Sequence, residues 1–176
     1  MWNKIQRIYI GEDLVRPMSV LYSSANWKII HNISDGEIWL IPSSWTTIKI
    51  QDKDVGSTTA WTTSASYGEW YAFANIPTAP SGYHVPTSTE RQNLMDLWQQ
   101  ITGSNSDDLI MQHLLIPWAG FKDWSTQKDI GAWLYWSSTS YNSSTAWGTR
   151  FYPTATFMDL WKHGKSVRLW VRCFKD

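Results

Sequence analysis

Residues 135–176 have the sequence YWSSTSYNSSTAWGTRFYPTATFMDLWKHGKSVRLWVRCFKD. Two regular blocks in this stretch, YWSSTSYNSSTAW and SVRLWVRCFKD, enclose residues 148–165, where Arg, Tyr, Pro, Phe, Met, Asp, Trp and His stand together without a consistent pattern. Regular blocks around an irregular segment are typical of a scaffold that displays a set of side chains. A displayed set of this kind indicates binding more readily than catalysis.

The second regular block and the first residues of the irregular segment show the period of a β-strand. In residues 167–174, VRLWVRCF, aliphatic or thiol side chains alternate with Arg and aromatic ones, which is typical of a strand with two distinct faces. We expect the aliphatic set to face the core. Residues 147–152, WGTRFY, alternate in the same way, so Gly148, Arg150 and Tyr152 are expected to face outward.

The composition limits the class of protein. The chain has 176 residues, enough for about one domain with room for a small accessory region. Its 15 basic and 15 acidic residues give zero net charge and form no basic stripe, so nucleic acid is not an expected partner. The 14 Trp, 8 Tyr and 5 Phe are spread along the chain, and most are therefore expected in the core, with a few as surface anchors.

The sequence lacks a second cysteine and a long apolar run near its start, and each absence excludes a structural feature. Cys173 is the one cysteine, which excludes an intrachain disulfide. The first eleven residues, MWNKIQRIYIG, contain no long apolar run. We therefore expect neither a signal peptide nor insertion into a membrane.

The local signals predict an α+β fold with twisted antiparallel sheets, two helices and long loops. Residues 34–36, Ser-Asp-Gly, lie between two apolar runs and predict a hairpin, because Asp-Gly tolerates the positive φ that tight turns require. Thr87 and Glu90 have capping-box spacing at the start of a helix. Its apolar face is formed by Leu94, Leu97, Trp98 and Ile101. A second, shorter helix is expected over residues 104–116.

Four blocks carry a resemblance to a known family. Residues 79–94, APSGYHVPTSTERQNL, resemble the block CPxGWHVPTxxEWxxL of the Fibrobacter succinogenes major paralogous domain. IPWAG at 116–120, YWSST at 135–139 and VRCFKD at 171–176 follow in the same order and resemble the LPxAG, YWSST and SVRCxKD blocks of that family. The resemblance implies a C-type lectin fold, akin to that of the formylglycine-generating enzymes.

Two other segments, RIYIGEDLVRP at 7–17 and IKIQDKDVGST at 48–58, resemble parts of phage-tail and diversity-generating-retroelement variable proteins of the same fold. These resemblances imply a C-type-lectin-like ligand-binding domain over residues 46–176. Residues 1–45 would form a short β-rich region that serves for attachment or extends the sheet. The resemblances also imply a place in a virion or on a cell surface, a host-surface protein or glycan as partner, and assembly into a homo-oligomer.

The sequence departs from these patterns in two places. Ala79 stands where the family block often has Cys, so the usual partner of Cys173 is missing. The calcium signature of ordinary lectins, an EPN or QPD triplet followed by WND, is also missing. Neither a calcium ion nor another metal or cofactor is therefore expected.

The candidate ligand-binding surface is the irregular segment, residues 148–165. In the retroelement-diversified relatives, adenine-directed changes in Asn codons produce Gly, Arg, Tyr, Thr, Pro, Asp, Leu or His, but never Trp, Met or Lys. Arg150, Tyr152 and Trp161 are of the types that dominate interface hot spots, although Trp161 needs another codon. The full candidate set is Gly148, Arg150, Tyr152, Pro153, Thr154, Thr156, Met158, Asp159, Trp161 and His163.

Other polar groups have structural interpretations. We expect Trp136 and residues 137–139 to pack and to hydrogen-bond in turns. His84, beside the helix cap, is expected to be a hydrogen-bonded structural histidine. Asp52 and Asp54 are expected in a solvated loop rather than at a calcium site. The four histidines have no metal-binding spacing.

Three functions of different classes remain. The leading one is a non-enzymatic receptor- or ligand-binding variable protein of a virus or mobile element, diversified by a retroelement. The second is a structural virion or cell-surface module without a variable site. The third is an oxidase like the formylglycine-generating enzymes, but that chemistry needs a cysteine pair. Cys173 lies in an apolar alternation, which favours a buried, unreactive thiol.

Overall fold

The computed structural model describes residues 9–10, 13–14, 18–23, 27–42, 47–57, 69–102, 114, 120–123, 126–128, 132–151 and 158–176. One α-helix, α1 (Ser88–Thr102), and one 3-10 turn (Phe73–Asn75) lie within these ranges. The strands are β1 (Tyr9–Ile10), β2 (Asp13–Leu14), β3 (Met18–Ser23), β4 (Trp27–Asn32), β5 (Glu37–Pro42), β6 (Ile48–Gln51), β7 (Tyr71–Ala72), β8 (Tyr83–His84), β9 (Phe121–Asp123), β10 (Thr126–Lys128), β11 (Trp133–Ser140), β12 (Thr145–Phe151), β13 (Met158–Gly164), β14 (Arg168–Leu169) and β15 (Phe174–Lys175).

These strands form antiparallel sheets. The largest has the order β3-β4-β5-β6-β15-β8, and a second has the order β10-β9-β14-β7. A third sheet, β11-β12-β13, contains most of the irregular segment, and β1 pairs with β2 alone. The described part of the chain is therefore mostly sheet with one α-helix, which agrees with the predicted antiparallel α+β architecture at this coarse level.

The predicted hairpin at residues 34–36 is confirmed. Strands β4 and β5 pair antiparallel up to Asn32 and Glu37, and Gly36 has a φ of 67°. The side-chain amide of Asn32 donates to Asp35 over 2.8 Å, and the backbone N–H of Asp35 donates back to Asn32 Oδ1. The turn is thus closed by local hydrogen bonds together with a glycine that accepts a positive φ.

The predicted capping box of helix α1 is also confirmed. The backbone N–H of Thr87 donates to Glu90 over 2.7 Å, and the N–H of Glu90 donates to the Thr87 hydroxyl oxygen over 3.2 Å. Three residues of the expected apolar face are buried: Leu94, Leu97 and Trp98. The expected second helix lies outside the described residues apart from Leu114, which is buried. No helix in the described part of the chain is both long enough and apolar enough to span a membrane.

The buried hydrophobic side chains form two clusters, and β11 lies between them. Trp133 and Tyr135 pack in the first cluster with α1 and the six-stranded sheet. Leu134 and Trp136, which alternate with them, pack in the second cluster. The first half of β11, residues 133–136, has an apolar side chain at every position, which is typical of burial on both faces. Strand β11 therefore separates the two cores.

The C-terminal segment has the same two-sided burial. The aliphatic set faces a core as predicted, because Leu169, Val171 and Cys173 lie in the second cluster. The alternate residues Trp170 and Phe174 are buried as well, in the first cluster. The expected single strand is divided into β14 and β15, which pair in different sheets. The segment thus passes from one sheet to another.

The expectation that Asp52 and Asp54 lie in a solvated loop is wrong. Their exposed fractions are 5% and 3%. Nε2 of His31 lies 2.8 Å from Oδ2 of Asp52, and the Arg172 guanidinium donates to Asp54 over 2.8 Å. Buried carboxylates need such partners because desolvation of an unpaired charge is costly. These two residues therefore join the loop to distant parts of the chain.

Candidate functional site

The register of β12 and β13 places five of the candidate residues on one face of the three-stranded sheet: Gly148, Arg150, Asp159, Trp161 and His163. Gly148 is opposite Trp161, and Arg150 is opposite Asp159. Directly opposed residues of antiparallel strands point to the same side. His163 lies on that side too, since it is two residues from Trp161. The alternation in the sequence predicted the shared face of Gly148 and Arg150, and the pairing of β12 with β13 adds Asp159, Trp161 and His163 to that face.

The exposed part of this face is a cluster of Arg150, Asp159 and Trp161. Arg150 donates from Nε and Nη2 to the two carboxylate oxygens of Asp159 over 2.7 and 2.8 Å. Its guanidinium carbon lies 3.8 Å from the centroid of the Trp161 ring, and Trp161 is 49% exposed. A bidentate ion pair and a cation–π contact hold the guanidinium in one place. The result is a large, preordered aromatic side chain at the surface.

Gly148 and His163 occupy the covered end of the same face. Gly148 is buried, and a Cβ at this position would lie 2.7 Å from the carbonyl oxygen of Tyr135 and 3.1 Å from Cδ2 of His163. His163 packs edge-on against the Trp136 ring at a centroid distance of 5.9 Å. The expectation that Gly148 faces outward is therefore wrong, because Trp136 and the second hydrophobic cluster cover this end of the sheet.

Burial has a clear electrostatic effect on His163. Desolvation, together with the positive charge of Arg150, lowers the pKa of His163 from 6.5 to about 4. Among the described residues, none hydrogen-bonds Nε2 of His163. The imidazole is therefore neutral at pH 7, and it supports the sheet rather than offering a charge to a ligand.

A pocket of about 270 Å³ lies beside this cluster and is lined by Trp147, Leu160, Trp161 and Lys162. Trp147 is directly opposite Lys162 across β12 and β13, so both side chains lie on the face opposite to Arg150. Trp161 lines the pocket from the other face. Because β13 is the last strand of the described three-stranded sheet, the pocket lies along that edge.

Lys162 stands between two aromatic rings at this pocket. Its ammonium nitrogen is 3.8 Å from the ring centroid of Tyr141 and 5.2 Å from that of Trp147. The two rings contact each other edge to face at 5.3 Å, and Tyr141 is half-exposed. The ammonium group is thus ordered by cation–π contacts while it remains exposed to solvent.

The other candidate residues are only partly described. Tyr152, Pro153, Thr154 and Thr156 lie outside the described residues, and Met158 begins β13. Sequence reasoning missed the pocket-lining side chains of Trp147, Leu160 and Lys162. Their proximity depends on the pairing of β12 with β13 across residues 152–157, and no local pattern in the sequence specifies that register.

Groups with a predicted structural role have it in the structure. The Trp136 indole N–H donates to the Tyr71 carbonyl over 2.7 Å, and the Ser137 hydroxyl donates to the Trp147 carbonyl over 2.8 Å. The ring nitrogens of His84 lie 2.7 Å from Asp176 and 2.9 Å from Glu90. The packing of Trp136 and the hydrogen-bonded state of His84 agree with the predictions, but the expectation of turns at residues 137–139 is wrong, because these residues lie in strand β11.

Cys173 is buried, as predicted. Burial raises the pKa of its thiol to about 11, so it is protonated at neutral pH, and a protonated thiol is a poor nucleophile. Within the described ranges, no three His, Cys, Asp or Glu side chains form a group able to hold a metal ion.

Comparisons with known proteins found no match: no family model, no curated protein and no solved structure matches the chain.

Proposed function

We propose that the chain is a ligand-binding protein with a C-type lectin fold that displays its contact surface on β12, β13 and the segment between them. The surface comprises Arg150, Asp159 and Trp161, with the pocket along the edge of β13. Its partner is a host-surface protein or glycan, and the protein acts in a virion or on a cell surface. Binding, without chemical transformation of the ligand, is the activity.

The observation that carries this proposal is the exposed Trp161 held under the guanidinium of Arg150. Trp and Arg are enriched at the energetic centres of protein interfaces. A side chain that is already ordered in the free protein loses less conformational entropy on binding. The bidentate contact with Asp159 supplies that order. A surface tryptophan fixed in this way favours recognition over a purely structural role.

We further propose that a retroelement diversifies part of this surface. The resemblance of the sequence blocks to variable proteins supports this idea, as does the presence of Arg150 and Asp159, which adenine-directed changes can produce. Gly148 does not belong to the variable set, because every larger side chain would approach the Tyr135 carbonyl oxygen. Natural copies of the gene should therefore vary at Arg150 and Asp159 codons while the Gly148 codon stays constant. Variation spread evenly over the gene would instead favour a structural module.

A binding experiment tests the proposal directly. The purified protein is titrated onto candidate host cells and onto a glycan array, and so is the double variant Arg150→Ala/Trp161→Ala. Loss of two hot-spot side chains should weaken binding by about tenfold or more. The matched control is Arg168→Ala/Ile33→Ala, because Arg168 is an exposed residue of β14 and Ile33 an exposed residue of the turn between β4 and β5, both outside the three-stranded sheet. Equal binding by the wild type and the Arg150/Trp161 variant would remove the proposed surface.

A further inference from the structure

Among its described lining residues, the pocket along β13 combines apolar walls with one cation. Trp147, Leu160 and Trp161 supply the walls, and Lys162 supplies the charge. Among the described residues, none forms a salt bridge with Lys162, whose ammonium group contacts the rings of Tyr141 and Trp147. Aromatic rings order the ammonium group without neutralising its charge, so an N–H that does not face a ring can still donate to a carboxylate. Within the described part of the chain, an ammonium group without a carboxylate partner therefore lies beside an apolar space.

The size of the pocket limits its occupant. Pockets for whole small-molecule ligands usually measure about 300–1,000 Å³, and this one measures about 270 Å³. It has room for one large apolar side chain. The ammonium of Lys162 is a compact point charge that suits one carboxylate, whereas planar bidentate recognition is the property of arginine.

We infer that this pocket binds an apolar, preferably aromatic, side chain of a partner protein, with a neighbouring carboxylate of the same segment paired to Lys162. The inference rests on the proposed function and names the kind of ligand surface that it recognises: an acidic segment with an aromatic anchor. Arg150 does not supply this charge, because it lies on the opposite face and is paired with Asp159. Trp161 connects the two sites, since it contacts Arg150 and also lines the pocket.

The test uses two small probes that differ in one group: N-acetyl-tryptophan, which has a carboxylate, and N-acetyl-tryptophan amide, which does not. Each probe is titrated into the ¹⁵N-labelled full chain, and binding is followed through the indole N–H signals of Trp147 and Trp161. The acid should bind about three- to fivefold more tightly than the amide, which is the value of one partly exposed ion pair. Added salt should reduce that preference.

Two variants assign the preference to Lys162. Lys162→Gln should bind acid and amide equally, because the charge is gone while the pocket walls remain. Lys49→Gln is the matched control, since the Lys49 ammonium also lies over an aromatic ring, 4.3 Å from the centroid of Trp39, but in another sheet. The control should keep the wild-type preference. Trp147→Leu should weaken both probes together, because it removes part of the apolar wall.

The inference is overturned if neither probe shifts the signals of Trp147 and Trp161, if the wild type binds both equally, or if Lys162→Gln keeps the preference for the acid. These results are separate from the test of the proposed function. Loss of host binding by the Arg150/Trp161 variant, together with no probe binding, would retain the function and reject this ligand class. If the probes bind but the Arg150/Trp161 variant keeps full host binding, the ligand class of the pocket would be retained and the proposed contact surface rejected.

Discussion

The guanidinium of Arg172 donates a hydrogen bond of 2.8 Å to Oδ1 of Asp54, a residue 118 positions earlier in the chain. Both side chains are 2% exposed. The Tyr135 hydroxyl lies 2.9 Å from each carboxylate oxygen of Asp54, and a second nitrogen of Arg172 donates to the Leu114 carbonyl. One buried ion pair thus joins a polar loop, β11 and the C-terminal segment.

Replacement of Asp54 by Asn should strongly destabilise the fold. The amide keeps the shape of the side chain but leaves the guanidinium of Arg172 buried without its counter-charge. Breaking a buried pair on one side typically costs about 3–5 kcal/mol. The measurement is the free energy of unfolding in urea at pH 7.

The control for that change is Asp123→Asn, which removes the carboxylate partner of Lys128 at the surface. Exposed pairs contribute about 0–1 kcal/mol, so this variant should unfold close to the wild type. An Asp54→Asn protein as stable as Asp123→Asn would contradict the central role of the buried pair.

Gly148→Ala should destabilise the protein, even though alanine in a strand interior is normally less destabilising than glycine. The new methyl group would lie 2.7 Å from the Tyr135 carbonyl oxygen, which belongs to the backbone of a neighbouring strand and cannot rotate away. Overpacking of this kind costs about 1–3 kcal/mol. Urea unfolding of Gly148→Ala measures the loss.

Gly164→Ala is the matched control, because it lies at the end of β13 and its nearest neighbour would be Val167 at 3.9 Å. That variant should change the free energy of unfolding by less than about 0.5 kcal/mol. If both glycine variants were equally stable, Gly148 would accept side chains, and its exclusion from the variable set would fail.

Local signals in the sequence predicted local structure well. The hairpin at Gly36, the cap formed by Thr87 and Glu90, and the shared face of Gly148 and Arg150 each follow from residues close together or from a period of two. These features depend on backbone preferences and alternation, which act within a few residues.

Long-range pairing could not be predicted in the same way. Asp54 lies in a Ser-, Thr- and Asp-rich segment that resembles a solvated loop, and only the approach of Arg172 makes its burial favourable. Gly148 is covered because the Tyr135 carbonyl and the side chains of His163 and Leu169 approach it from other strands. The pocket depends on the register that brings Trp147 opposite Lys162.

Arg150→Lys should loosen Trp161 although it keeps the positive charge. Lysine cannot reproduce the two hydrogen bonds to Asp159 or stack a planar group on the indole ring. We expect host binding to fall nearly as far as with Arg150→Ala, while the free energy of unfolding changes by less than about 1 kcal/mol. The indole N–H of Trp161 should show a lower ¹⁵N order parameter in the free variant.

Arg168→Lys, at an exposed position in β14, controls for the substitution itself and should alter neither measurement. A Trp161 that stays rigid in Arg150→Lys would show that the ion pair with Asp159 is not what orders this side chain.

Acidification should unfold the protein partly through His163, whose pKa is about 4 in the folded chain because of burial and the charge of Arg150. The unfolded chain takes up this proton near pH 6.5, so the contribution of His163 is fully present above that pH and is lost as pH falls toward 4. The shift corresponds to about 3 kcal/mol between pH 7 and pH 4. His163→Phe keeps an aromatic ring without a titrating group. Between pH 7 and pH 4, the free energy of unfolding of His163→Phe should therefore fall by about 3 kcal/mol less than that of the wild type.

His84 supplies a control of opposite sign. Burial alone would lower the pKa of His84, but hydrogen bonds with Asp176 and Glu90 outweigh it and raise the pKa above 6.5. Its contribution is present at acid pH and is lost as pH rises through the raised pKa. The stability of His84→Gln should therefore differ most from that of the wild type at acid pH. The free energy of unfolding of His163→Phe should instead rise relative to the wild type at acid pH. Parallel pH profiles for both variants would contradict the assignment of the acid-sensitive site to His163, because only a buried, uncharged imidazole resists protonation in the folded state.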